Sequence, residues 1–373
     1  MHDRPARILH LAAGNLFGGV ETLLVTFARL RQLCPEMEPG FGLCFPGRLR
    51  DELIAAGVPV HDLGAVRVSR PWTVLRARWQ LRRALREHGY DAVVTHGMWP
   101  HAVFAPVVRK ARVRLVNAVH DYLTRGHWIN RWAARTPPDV VVTNSRFTAP
   151  PAIGIFPRVP VVSIHLPVAS PTVDRAEARR EVRKDLGTSA DTVVILQASR
   201  LEEWKGHAIH VDALGQLKDV VGWEAWFAGG AQKTGEAEFL ARLKARANQI
   251  GIANRVKFLG QRSDVQRIMA AADVYCQPNT GPEPFGIVFV EALYAGLPVV
   301  TSELGGAVEI ITSSQGMLCP PGDATAVATS LRNLIAYSTK RQQLGAAGPA
   351  RATGLCDPER QIARLATVVR GCP

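Results

Sequence analysis

Residues 283–306 read EPFGIVFVEALYAGLPVVTSELGG. Pro284 disfavours α conformation at Glu283, so PEPFG is expected as an extended loop. Gly286 then opens an apolar helical stretch whose Ile287, Val290, Leu293 and Tyr294 suit burial, and LPVVTS (297–302) suits a buried strand. Upstream, ADVYCQP (272–278) is another short apolar run. Strand, loop, helix, strand is the repeating unit of a parallel sheet covered on both faces. Two acids stand inside this unit. Glu283 precedes the helix and Glu291 lies roughly one and a half turns in. A solvated cap is the plainest reading of an acid there. Yet a carboxylate in so apolar a helix needs a partner, and carboxylates suit the hydroxyls of ribose and sugars.

The same alternation runs along the chain. Strand candidates are 6–13, 40–45, 58–63, 91–96, 113–120, 140–144 and 159–165, then 191–199, 223–230, 255–260, 272–278, 297–302 and 316–321. Helical patterns separate most of them, for example Gly206–Leu217 and Glu236–Ile250. The join between the two sets is the polar, Pro-bearing LPVASPTVDRAEARREVRKDLGTSADT. With 373 residues and 47% hydrophobic content, the expectation is α/β: two doubly wound, Rossmann-like domains in tandem. Ligands of such sheets bind at the carboxyl ends of strands, so the loops there are the candidate site.

Five such loops carry candidate chemistry. GNLFGGVET (14–22) ends the first strand, and Gly18 and Gly19 open a helix where backbone amides favour anions. The spacing is not that of a dinucleotide fingerprint, and a tight turn explains the pair as well. ASRLEEWKGH (198–207) places Arg200 and Lys205 at the end of a second-set strand, where a diphosphate leaving group needs cations. His120, THGMWPH (95–101) and TNSRFT (143–148) follow three further strands. Six cysteines, at 34, 44, 276, 319, 356 and 372, form no C-x-x-C pair, which argues against a zinc site or disulfide scaffold and for a reducing compartment. Cys44, Cys276 and Cys319 read as buried thiols.

Taken together, EPFGIVFVE with its continuation to EII at 309–311, ASRLEEWKGH and FGGVET resemble family 4 of the retaining GT-B glycosyltransferases, over nearly the whole chain. The resemblance implies an acceptor-side domain at 1–168, a nucleotide-sugar-binding domain at 169–352, and a helix at 353–373 packing back across the domains. It implies a nucleoside diphosphate sugar as donor, UDP- or GDP-linked, with no cofactor and no metal. Glu291 would bind ribose. Glu283 would hold the transferred sugar with the amides of Phe285, Gly286 and Ile287. Arg200 and Lys205 would neutralise the diphosphate, Gly18 and Gly19 would leave room for phosphates and acceptor, and His120 would stand near the sugar. The acceptor would be a glycan, a lipid-linked glycan or a small molecule.

The formal net charge of +13 allows an anionic partner. In RPWTVLRARWQLRRALREHG (70–89), Trp72, Leu75 and Trp79 recur at helical spacing among arginines. The stretch reads either as a basic amphipathic helix at an anionic membrane or as an ordinary helix with a solvated Arg face and core tryptophans. No apolar run is long enough to span a bilayer, and the start of the chain lacks a signal-peptide pattern, so the expected place is the cytoplasm or the inner membrane face. Three rival functions stand beside the transferase: a GT-B-fold sugar-nucleotide epimerase, a soluble natural-product glycosyltransferase, and a scaffold or nucleic-acid-binding protein resting on charge alone. Nucleic acid is not the expected partner.

Overall fold

The computed structural model describes residues 4–15, 18–124, 126–231 and 234–371. Leu16 and Phe17 of the first loop, and Cys372, lie outside the described residues. The chain forms two compact units: one comprises residues up to Ala169 together with the segment from Cys356 onward, the other Ser170–Leu355.

In the first unit seven strands, β1 (Ala6–Ala12), β2 (Met37–Leu43), β3 (Val60–Asp62), β4 (Ala92–His96), β5 (Arg114–Val119), β6 (Val140–Thr143) and β7 (Val161–Ser163), form one sheet in the order β3-β2-β1-β4-β5-β6-β7. In the second, β8 (Val193–Ala198), β9 (Trp223–Ala228), β10 (Val256–Gly260), β11 (Val274–Gln277), β12 (Val299–Ser302) and β13 (Gly316–Cys319) run in the order β10-β9-β8-β11-β12-β13. Every pairing is parallel, and the central strands are buried along their length, as sheets covered on both faces require. The strand order reverses between β1 and β4 and again between β8 and β11, which opens a crevice at the carboxyl ends of each pair.

The opposite, amino edge is held by one device used three times. Asp91, Asp139 and Asp273 each stand just before a strand, accept the amide of a neighbouring strand at 2.8 Å (Arg7, Leu115 and Val194) and pair with arginine. For Asp273 the partners are Arg179 at 2.9 Å and Arg183 at 2.6 Å, both from the helix Arg175–Asp185. That helix lies inside the polar join, which therefore carries structure of its own.

The helix Pro71–His88 corrects one reading. Its buried face is Val74, Ala77, Leu81, Ala84 and Leu85, while Trp72 and Leu75 are 64% exposed and Trp79 is 52% exposed. The tryptophans are not core residues. Arg78 is not on a solvated face either: its Nε donates to the Val103 carbonyl at 2.7 Å. The chain closes with the helix Pro358–Arg370, capped by Asp357, whose carboxylate accepts the Arg360 amide. Ile362, Leu365, Ala366 and Val369 are buried, and Arg364 and Arg370 reach the Ser163 carbonyl and Glu36 of the first unit. Cys34, Cys44, Cys276, Cys319 and Cys356 are buried free thiols.

Candidate active site

In the second unit the loops that leave β8 and β11 lock together at the switch point. The Thr280 and Gly281 amides donate to the Trp204 carbonyl, at 2.8 and 3.3 Å. Gly206 turns with φ +73°, and a Cβ there would lie 1.8 Å from the Pro278 carbonyl oxygen, so only glycine permits this approach. Gln197, buried on β8, donates through Nε2 to the Lys205 carbonyl at 2.9 Å. Its Oε1 lies 2.9 Å from His210 Nδ1. A carbonyl oxygen only accepts, so Nδ1 of His210 carries the proton. Burial, chiefly, pushes the His210 pKa down to about 3, which keeps the ring neutral.

This frame aims Lys205 at Glu283. Nζ donates to Oε2 at 2.5 Å, both side chains are nearly out of solvent, and the ammonium rests 4.0 Å from the Trp204 ring centre. Glu283 is held in turn by the loop after β12. The Gly306 amide donates to its carbonyl at 2.7 Å, and Cβ atoms at Gly305 or Gly306 would lie 2.4 Å from the Glu283 oxygen and 2.6 Å from the Phe285 Cα. Phe285 is buried. Gly286 takes φ +103° as the cap of the helix Ile287–Tyr294, whose first amides have no partner within the helix. Glu291 sits one turn into that helix. It is half-buried, no described residue hydrogen-bonds its carboxylate, and burial pushes its pKa up to about 7. Arg200 stays on its own loop, paired with Glu202 at 3.0 Å. The predicted set therefore meets at Lys205, Glu283 and the helix start, with Arg200 beside it rather than in the pair. Gln197, Gly206, Gly305 and Gly306 were not singled out from sequence, although their glycines lie inside the quoted motifs.

In the first unit the three polar strand ends converge. His120 follows β5. Its Nε2 meets His96 Nδ1 at 3.0 Å, and its carbonyl accepts from Asn144 Nδ2 at 3.3 Å. His101 is structural, with one ring nitrogen on Thr95 Oγ1 and the other on the Thr136 carbonyl. His10, unmarked in the sequence reading, lies within β1 and meets His96 at 2.9 Å. Its signal was a histidine flanked by apolar residues within a strand. His96 and His120 line a cavity together with Leu23, Phe27, Asn144 and Gln361. Gly18 has an ordinary extended φ of −156°, and the nearest described atom to a Cβ there is Glu21 Oε2 at 3.7 Å. Gly19 begins the helix Gly19–Arg29. Among the described residues no group of three His, Cys, Asp or Glu side chains is placed to hold a metal.

Two parallel sheets of this order, each with its loops at a switch point, are the frame of GT-B glycosyltransferases. The family pattern described as glycosyl transferases group 1 matches residues 178–351, and that of the glycosyl transferase 4-like domain matches 6–136. A GDP-mannose-dependent alpha-(1-6)-phosphatidylinositol monomannoside mannosyltransferase of Mycobacterium tuberculosis is 30% identical over 318 residues, 78% of this chain and 79% of that protein. The chain belongs to the group 1 glycosyl transferases. A phosphatidyl-myo-inositol mannosyltransferase of Mycobacterium leprae is 42% identical over 106 residues, 28% of either chain. Among solved structures, Anabaena HepE in complex with UDP and glucose superposes with a TM-score of 0.85 at 27% identity, over 97% of this chain and 98% of that one.

Proposed function

We propose that the protein transfers a sugar from a nucleoside diphosphate sugar to an acceptor hydroxyl with retention at the anomeric carbon. The observation that carries this reading is the buried Lys205–Glu283 pair at the switch point of the second sheet, with the unpartnered Glu291 carboxylate one turn into the next helix. Glu291 accepts from the ribose hydroxyls. Glu283 and the amides of Phe285, Gly286 and Ile287 hold the transferred sugar. Arg200 and Lys205 face the diphosphate, where charge builds as its bond to the sugar breaks. Gly18 is neither strained nor crowded, so its missing side chain is read as room for ligand, shared with Gly19. His120 offers a ring nitrogen to the sugar.

In the reaction the acceptor oxygen bonds to the anomeric carbon on the face the diphosphate leaves. The bond from that carbon to the diphosphate oxygen breaks, and the acceptor proton passes to a diphosphate oxygen. Positioning and electrostatics supply the catalysis, with no protein nucleophile and no cofactor. Arg200 and Lys205 do the work a metal ion would otherwise do, so a chelator is expected to leave the rate unchanged.

GDP-mannose in one relative's name, and UDP and glucose bound in a neighbour's structure, support a UDP- or GDP-linked sugar. The phosphatidylinositol monomannoside in a relative's name supports a lipid-linked or envelope glycan acceptor. So does the exposed stripe of Trp72, Leu75, Arg76, Trp79, Arg82, Arg83 and Arg86, which fits peripheral contact with an anionic membrane at its cytoplasmic face. No helix of the described residues is long and apolar enough to cross a membrane. The test is release of nucleoside diphosphate from a panel of UDP-, GDP-, ADP- and dTDP-sugars, with the anomeric configuration of the product read by NMR. Release from one donor, faster with acceptor, is expected. No release across the panel, or an inverted product, removes the reading.

A further inference from the structure

His10, His96 and His120 form one chain of hydrogen bonds through the interior of the first unit. Nδ1 of His10 meets Nε2 of His96 at 2.9 Å, and Nδ1 of His96 meets Nε2 of His120 at 3.0 Å. The rings of His96 and His120 lie within 4° of parallel. Burial is the first cause that pushes all three pKa values down, to about 3 for His10 and about 4 for His120, and His96 lies well below its usual range, helped by its two neighbours. All three are therefore neutral at pH 7, and each ring carries one proton.

Three protons serve six ring nitrogens. Each of the two bonds takes one proton and one lone pair, so the third proton must sit at one end of the chain. The ends are Nε2 of His10 and Nδ1 of His120, both buried and without a hydrogen-bond partner among the described residues. They differ in what surrounds them. His10 is fully buried, stacked against Phe27 at 5.3 Å and Phe41 at 5.4 Å. An N–H on that wholly buried nitrogen would be orphaned, which proteins avoid more strictly than a bare lone pair. The His120 side chain, by contrast, lines the cavity beside Asn144 and Gln361.

We propose that His10 and His96 are positioning residues that place the third proton on Nδ1 of His120, so that His120 meets its ligand as a hydrogen-bond donor to oxygen. The three tautomers are one coupled unit, and the bare nitrogen stays on the fully buried ring that stacks against Phe27 and Phe41. For a sugar or acceptor hydroxyl this selects the oxygen's lone pair and leaves its own proton free. The functional half of the proposal rests on the reading of His120 as a site residue, while the tautomer half does not.

The test is two-bond 1H–15N correlation on the full chain labelled with 15N-histidine at pH 7, with signals assigned by their loss in His10→Phe and His120→Asn. All three rings are expected as the Nδ1–H form. His96→Leu cuts the chain and should let His120 shift toward Nε2–H, with kcat on the donor down about tenfold and KM little changed, the worth of one hydrogen bond. His96→Gln, whose amide can accept from His10 and donate to His120, should restore both. An Nε2–H form at His120 in the wild type overturns the proposal, as does Nδ1–H persisting in His96→Leu. Should His96→Leu not fold, the wild-type spectrum alone decides. The spectrum is read on the free protein, so a chain that consumed no nucleotide sugar would remove the transferase reading without touching this result.

Discussion

Glu291 is half-buried and its carboxyl is pushed up to about 7, from an ordinary 4.5, by burial. The folded chain holds that proton more tightly than the unfolded chain. Its contribution to stability is therefore full below about 4.5 and lost as pH rises through about 7. Ribose hydroxyls donate to the anion, so ligand binding runs the other way and strengthens across the same window. Calorimetry with a plain nucleoside, which carries no phosphate to titrate, should show tighter binding at pH 8 than at pH 6. Glu291→Gln should bind roughly tenfold to a hundredfold more weakly and flatten that trend. A pH-independent affinity equal to the variant's would take ribose away from Glu291. Lys205→Ala should destabilise the fold by about 3–5 kcal/mol, because it leaves Glu283 buried without its cation. The double variant Lys205→Met with Glu283→Gln should recover most of that in thermal unfolding yet stay far below wild-type turnover. Wild-type turnover in the double variant would reduce the pair to a structural one. Glu283 and Lys205 were legible as candidates because charged residues in loops at the ends of apolar strands cannot be ordinary core, and Glu291 because it interrupts an apolar helix. Gly206, Gly305, Gly306 and His10 were not, because each is explained by a partner far along the chain, such as the Pro278 carbonyl that leaves Gly206 no room for a Cβ.

At the scale of elements, the two edges of each sheet divide the labour. Charge networks brace the amino edge through Asp91, Asp139 and Asp273, and the loops with chemistry leave the carboxyl edge. The two functions should separate by mutation. Asp273→Asn strips the charge from a nearly buried carboxylate that serves Arg179, Arg183 and the Val194 amide, and should cost about 3 kcal/mol. Denaturant unfolding should show that loss, while the Michaelis constant for the donor stays at the wild-type value. A changed Michaelis constant at unchanged stability would mean the edges are coupled. The strands themselves were readable as short apolar runs bounded by turns, most with only their ends trimmed, as in 191–199 against Val193–Ala198, while the run expected at 40–45 begins three residues earlier, at Met37–Leu43. The helix Pro71–His88 was readable as a helix but not as to its face. Helical spacing supplies two apolar stripes there, Trp72-Leu75-Trp79 and Val74-Ala77-Leu81, and periodicity alone cannot say which one the sheet covers.

At the scale of the whole molecule, alternation of strand and helix was enough to expect two doubly wound sheets, because a parallel sheet needs a crossover after every strand. The acceptor was not legible, since it depends on surface rather than on period. The surface now supplies one argument. Trp72, Leu75, Arg76, Trp79, Arg82, Arg83 and Arg86 recur at three- and four-residue steps on the exposed side of one helix, and the chain as a whole carries +13. Water-exposed tryptophans cost free energy that an interface would recover. Arginines beside them add roughly 1 kcal/mol each at an anionic surface, screened by salt. Arg83 already shares its charge with Glu87 and Arg78 serves the Val103 carbonyl, so Arg76, Arg82 and Arg86 carry the electrostatic share. Vesicle co-sedimentation should require anionic lipid and weaken from low to physiological salt. It should drop at least tenfold both in Arg76→Ser/Arg82→Ser/Arg86→Ser and in Trp72→Ser/Trp79→Ser. Donor hydrolysis should survive in both variants, because Arg200, Lys205, Glu283 and Glu291 belong to the second unit and no residue of this helix is assigned to the donor. A wild type that ignores anionic vesicles at low salt would leave the stripe without a membrane role and shift the acceptor toward a soluble molecule.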